Sequence, residues 1–234
     1  MLPGVDHREA SFSPAAFAAT WRFLTGAAPS RTDVASEAAP LLDGSLSGLG
    51  LAPGDPASGE TSPATCRWRA RGWPSMPPTL RDRRAPRPRR CTAGPSAPTA
   101  AGAPFAARPD TAYEFEITAA GYATTHIYRS PSPRGSTVVN LRPERIAAAD
   151  RDAGAIVIFT RPRGYFDAQR DRMRFDGQAS LPGVPPRGAG VSASKARLQG
   201  DAQRSVTGEF NGERITGRSW PAATGHVTLL ELSY

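Results

Sequence analysis

The sequence predicts a mainly β fold, sandwich-like or barrel-like, preceded by one short helix. Three observations carry this. Tyr113-Glu114-Phe115-Glu116-Ile117-Thr118 alternates strictly between apolar and polar residues, the period of a half-buried strand. Asp176-Gly177 within MRFDGQ and Asn211-Gly212 within EFNGER are the dipeptides that close two-residue hairpins, because both central positions need positive φ. Beyond Leu24 there are strand and turn signals but no long helical pattern.

The helix is specified at both ends. In Phe12 to Gly26 (FSPAAFAATWRFLTG), Ser13 is the N-cap, Pro14 takes the first helical position and Gly26 is the stop. Phe12 and Phe17 occupy the two positions of a hydrophobic staple, and Phe17, Trp21 and Leu24 share one face that needs covering. Ala35 to Gly54 is small and Gly-rich, suited to a linker or a first edge strand. Past the alternating strand, Gly121-Tyr122 marks a turn, and Thr125 to Arg129 and Ser136 to Leu141 are further strands. Pro143 to Ala149 reads as a short helical stretch. Ile156-Val157-Ile158-Phe159 is continuously apolar, as a strand buried on both faces would be, and Pro162-Arg163-Gly164 ends it. The final strand is Val227 to Tyr234.

The formal net charge of +8 is local. Residues 65 to 104 hold nine Arg, eight Pro and one acid (Asp82) but neither Val nor Ile, which leaves 20 basic and 20 acidic residues elsewhere. A surface built to hold phosphate backbones spreads its cations over a folded face, whereas this segment has the composition of a disordered linker. Its two cysteines, Cys66 and Cys91, either close a loop or remain as thiols, and without a nearby His they make no zinc site. A second reading is available for the same stretch. Back-translated with GC-rich codons and read from one base earlier, Cys66 to Arg81 permits LPLAGARVAVYAADPA and Cys91 to Pro104 permits LHRRAIGADGRWGP. These are strand and turn texts without cysteine, which points to a frameshifted stretch at about residues 65 to 104.

The N-terminal pattern LPGVDH, a short spacer, then FxPxxFxxxWxFLTG resembles the C-terminal end of α/β-hydrolase lipases and esterases. That resemblance implies that His7 is the general base of a Ser-acid-His triad in the full-length family enzyme, and that the helix is the last piece of an α/β-hydrolase core. Chain order in that fold puts nucleophile and acid before the histidine, and there is no G-x-S-x-G downstream; Gly44-Ser45-Leu46-Ser47-Gly48 has Leu where Ser is required. Asp6 is a poor orienting acid, since adjacent side chains diverge. HIYRSPSPRGSTVVNLRP resembles the C-terminal β-domain of long-chain lipases, which implies substrate-binding roles for Arg129 and Arg134. With the shifted-frame text included, residues 105 to 143 also resemble the small transthyretin-like sandwich of carboxypeptidase regulatory modules.

The expected organisation is a terminal piece of the hydrolase domain at 1 to 34, a linker or edge strand at 35 to 64, a disordered Arg/Pro-rich segment at 65 to 104, a partial small sandwich at 105 to 143 and a C-terminal β-domain at 144 to 234. The expected function is that of a non-catalytic C-terminal portion of a carboxylic-ester hydrolase, its partner an ester or lipid substrate met through a catalytic domain. No cofactor or metal is called for, His126 and His226 being given no partners. Neither a spanning apolar run of ~20 residues nor a signal peptide is present, while the resemblance implies an exported protein. Two other classes compete. Arg/Pro-rich residues 67 to 90, with Trp68 and Trp73 to stack on bases, define a nucleic-acid binder; a generic β-sandwich interaction module is the other.

Overall fold

The structure, a computed structural model, describes residue 2 and residues 4–46, 48–49, 61–62, 66–73, 104–119, 121–185, 190–200 and 203–233. Helices α1 (Glu9–Phe12) and α2 (Pro14–Thr25) open the chain. Strands β1 (Leu41–Leu46), β2 (Gly48–Leu49), β3 (Thr61–Ser62), β4 (Cys66–Trp73), β5 (Phe105–Ala106), β6 (Ala112–Ala119), β7 (Thr124–Arg129) and β8 (Ser136–Leu141) follow. The remaining strands are β9 (Ala155–Thr160), β10 (Met173–Phe175), β11 (Ala193–Leu198), β12 (Ser205–Phe210), β13 (Glu213–Arg218) and β14 (His226–Glu231). The mainly β class is therefore as the sequence predicts.

A six-stranded sheet in the order β11-β9-β14-β7-β6-β4 forms the middle of the molecule. The late strand β14 inserts parallel between β7 and β9, and the other pairings are antiparallel. Because side chains alternate across a strand, β9 feeds two cores: Ile156 and Ile158 enter one, Val157 and Phe159 the other. Sheet β5-β1-β8 covers the first face, with Leu42, Leu46, Phe105 and Leu141 meeting Phe115, Ile127 and Val227. Sheet β10-β12-β13 covers the second, with Phe175, Phe210 and Ile215 meeting Phe159 and Leu230. Two glycines permit the close approach there. A Cβ on Gly208 would lie 2.5 Å from the Phe159 ring, and one on Gly217 would lie 2.5 Å from the Tyr128 ring.

Local chemistry explains the turns and caps. Ser13 Oγ accepts from the Ala16 amide at 3.2 Å, and Gly26 ends α2 in the left-handed region at φ +73°. Asn211 and Gly212, at φ 47° and 95°, join β12 to β13 as a two-residue hairpin. The Asp176-Gly177 turn also forms, but its only ladder contact is the bridge Phe175 to Gln178, because β10 takes β12 as its partner. Of α2, only Ala16 is buried; Phe17, Trp21 and Phe23 are exposed by 48, 43 and 86%, so its aromatic face is uncovered.

Several expected boundaries fall differently. Leu41–Leu46 is the middle strand of its small sheet and not an edge. Pro143 to Ala149 yields only a 3-10 turn at Ala148–Asp150; its start is tied to β7 instead, the Glu144 amide donating to Thr125 Oγ1 at 2.8 Å and the Glu144 carbonyl accepting from the Ala123 amide at 2.9 Å. One sheet runs through both 105–143 and 144–234, so these stretches share a core where two units were expected. Within the 65–104 segment, Cys66–Trp73 pairs with β6 over eight positions. All the prolines of that segment lie at Pro74 or beyond, so this stretch keeps every N–H needed to satisfy the edge of β6. Apart from that strand and Pro104, the segment lies outside the described residues.

Candidate functional site

His7, Arg129 and Arg134 are not brought together. His7 is exposed in the turn ahead of α1. Its neighbour Asp6 is committed elsewhere. The Asp6 carboxylate accepts from the amides of Arg8 and Glu9 at 2.8 Å and Tyr165 at 2.6 Å, and from the Arg161 guanidinium at 3.3 Å. Burial alone would raise its pKa, but these backbone donors and Arg161 together hold it below the usual carboxylate value. Glu9 completes the dock by pairing with buried Arg161 and, at 2.9 Å, with Arg170. Arg129 lies within the β-fold, ion-paired with Glu231 and donating to the Asn140 carbonyl at 2.9 Å. Arg134 sits exposed in the β7 to β8 link, its Nε 3.4 Å from the half-buried Glu37. Among the described residues no hydrogen bond or ion pair joins any two of these three candidates.

A different constellation is built into the second face of the central sheet. Register sets Glu114 opposite Tyr128 and Glu116 opposite His126 on the paired strands β6 and β7, while β14 brings His226 to the diagonal position beside His126. Glu114 Oε1 lies 2.8 Å from His126 Nδ1 and accepts from the Tyr128 hydroxyl at 3.1 Å. His126 Nε2 lies 2.8 Å from His226 Nδ1. Trp220 lids the pair, its ring stacked on His126 at 4.4 Å between centroids, and its indole N–H reaches Tyr128 Oη at 3.5 Å. Glu114 and His126 are 2 and 1% exposed, so this polar cluster is interior, with His226 and Glu116 half-buried at its rim.

The hydrogen bonds fix the neutral tautomers. An ionised Glu114 only accepts, so His126 carries its proton on Nδ1; His126 Nε2 is then a lone pair and His226 must donate from Nδ1. Burial of His226, and the positive charge that His126 would bring, push the His226 pKa below its ordinary value, while the Glu116 carboxylate acts in the other direction. Tyr128 is pushed far up by burial and by Glu114, which keeps its hydroxyl a donor. One carboxylate oxygen from each of Glu114 and Glu116 and one ring nitrogen of His126 lie within 4.8 Å of one another, a spacing a cation can bridge.

Sequence reasoning missed this cluster. The signal was present: Glu114 and Glu116 recur at i, i+2, as do His126 and Tyr128, and polar residues sharing one strand face point to one place. The alternation, however, reads equally well as a face turned to water. Only the layer supplied by β10, β12, β13 and Trp220 shows that the polar face is covered.

Residues 78–146 match the family described as Lipase C-terminal domain. The match spans β5 to β8, takes in His126 to Pro143, and begins in the Arg/Pro-rich segment as written. It supports a lipase C-terminal domain for this part of the chain. No curated protein matches the sequence. No helix among the described residues is long and apolar enough to cross a membrane.

Proposed function

We propose that this chain is the C-terminal portion of a carboxylic-ester hydrolase of the lipase type, whose β-layers help hold an ester or lipid substrate for an α/β-hydrolase catalytic domain. The observation that carries this reading is the lipase C-terminal match over residues 78–146. It is supported at the N-terminus by the likeness of LPGVDH and its helix to the triad-histidine end of such a catalytic domain. A general base also needs an orienting partner and a nucleophile. Among the described residues no side chain hydrogen-bonds the His7 ring, and the sequence has no G-x-S-x-G. The chain alone is therefore expected to be inactive. The roles of Arg129 and Arg134 in substrate binding, and the frame change at about 65 to 104, belong to the same proposal; the match starting at residue 78 in the written frame weighs against the downstream part of that frame change.

The test has two arms. The purified chain should hydrolyse p-nitrophenyl esters no faster than an inert protein, with His7→Ala without effect, while it co-sediments with a triacylglycerol emulsion and does so less in Arg134→Ala. Saturable turnover that depends on His7 sinks the non-catalytic reading, and failure to associate with the emulsion sinks the substrate-binding one.

A further inference from the structure

The second face of the central sheet carries more chemistry than a lipid-holding layer needs. Two imidazole nitrogens that share one hydrogen, a carboxylate beside them and a second carboxylate behind one ring are the parts of a metal centre once that hydrogen is displaced. We propose that His126 Nε2, His226 Nδ1 and the Glu116 carboxylate bind a first-row divalent cation of the zinc class, with Glu114 holding the His126 ring from behind.

Four observations converge on this set. First, the two nitrogens already aim at one another across 2.8 Å. Two metal to nitrogen bonds of about 2.0–2.1 Å at a tetrahedral angle place the nitrogens roughly 3.3 Å apart and off the line on which they now share a hydrogen bond, so with His126 held in place the His226 nitrogen must swing aside by roughly 2 Å. His226 is only half-buried and can make that adjustment, whereas His126 is fixed. Second, Glu116 stands directly opposite His126 in the ladder and brings a carboxylate oxygen within 4.8 Å of a His126 ring nitrogen. Third, the Glu114 bond to Nδ1 fixes the tautomer that leaves Nε2 as a ligand, and a carboxylate behind a ligating imidazole raises its basicity. Fourth, the Trp220 ring stacks on both imidazoles, its centroid 4.4 Å from that of His126 and 5.4 Å from that of His226, and shields the cluster, while His226 and Glu116 stay half-buried at its rim.

The proton accounting closes. In the metal-free cluster His226 carries its proton on Nδ1; on binding it becomes the Nε2-protonated tautomer, so neutral rings release no net proton and the cation takes the position of that hydrogen. Two neutral imidazoles and one carboxylate leave a fourth position for solvent. This is a site separate from ester chemistry, and it involves neither His7 nor the cysteines.

Zinc titrated calorimetrically into the metal-stripped full chain at pH 7.5, with Co2+ as a visible-absorption probe of coordination, decides the matter. One equivalent should bind, with the d–d bands of a four-coordinate nitrogen and oxygen set and no thiolate charge transfer, and the site should persist in Cys66→Ser/Cys91→Ser. His226→Ala should weaken Zn2+ at least tenfold. Glu116→Gln, at a half-buried position, should do the same if His226→Ala proves poorly folded by circular dichroism. Glu114→Gln keeps an acceptor for Nδ1 but loses the charge, and should cost roughly 10–100-fold. Absence of Zn2+ binding at millimolar concentration, loss of the site with the two cysteines, or affinity within twofold of wild type in folded His226→Ala and Glu116→Gln would each overturn the assignment.

Discussion

The two faces of the central sheet are both covered by a three-stranded sheet, yet they are furnished differently. Beneath β1, β5 and β8, strands β6, β7, β9 and β14 contribute Phe115, Ile117, Ile127, Ile156, Ile158, Val227 and Leu229, an apolar surface. Beneath β10, β12 and β13 the sheet divides. The β9 and β14 half supplies Val157, Phe159 and Leu230, while the β6 and β7 half supplies Glu114, His126 and Tyr128. Apolar burial is non-directional and stabilises in proportion to area, so the first face needs only the right volumes. The polar half must satisfy each donor and acceptor by geometry, and a cluster so demanding is weak grounds for a stabilising role. The difference teaches that fold stability and candidate chemistry occupy separate parts of the same sheet.

The largest effect should come from the apolar share. Phe159 is fully buried, stacked on Phe166 at 5.5 Å and Phe175 at 5.8 Å, and its ring fills the space left by Gly208. Phe159→Ala should cost about 3–5 kcal/mol in urea unfolding, because lost transfer energy adds to an unfilled cavity. Phe115→Ala on the opposite face should fall in the same range. A loss below about 1 kcal/mol at either position would show that the layer above it is not packed as described.

A sharper comparison replaces the polar cluster itself. Glu114→Leu leaves the His126 Nδ1–H and the Tyr128 hydroxyl without their shared buried acceptor, at roughly 1–3 kcal/mol for each group, so a loss of about 2–6 kcal/mol is expected. Glu114→Leu combined with His126→Phe removes one of the two donors together with the acceptor and should recover about half of that loss, the Tyr128 share remaining. If the double variant is as unstable as the single one, the cluster is needed for folding and the separation of stability from chemistry fails.

Legibility in the sequence divides along the same line. Local signals held: Ser13, Pro14 and Gly26 bound α2, Ser136–Leu141 is β8, the apolar run is β9 with both faces buried, and Asn211-Gly212 turns a hairpin. Each depends on neighbours in the chain. What could not be read is non-local. His126 and His226 are 100 positions apart and meet only because β14 inserts beside β7, a choice of parallel partner that no turn dipeptide announces. Arg161 likewise reads as a charged residue ending an apolar run, yet it is 1% exposed and pairs with Asp6 and Glu9 from the far end of the chain.

That last contact sets the smallest effect. Neither core holds α2, whose aromatic face is exposed, so the N-terminal segment is fixed through Asp6 and Glu9 to Arg161, Arg170 and the Tyr165 amide. The Asp6 pKa is lowered in the folded chain, burial being outweighed by the donors of Glu9, Tyr165, Arg8 and Arg161. A carboxyl depressed on folding contributes stability that is complete above its unfolded value near 3.9 and is lost as pH falls through the lower folded value. Asp6→Asn should therefore cost about 1–2 kcal/mol at pH 7, the scale of one charge-assisted contact, and should cost progressively less below about pH 4. Urea unfolding of both proteins from pH 7 to pH 3 measures the convergence. Two curves that stay parallel would mean that Asp6 does not anchor the segment by charge, and that the N-terminal piece is held to the β-layers by something other than the Arg161 dock.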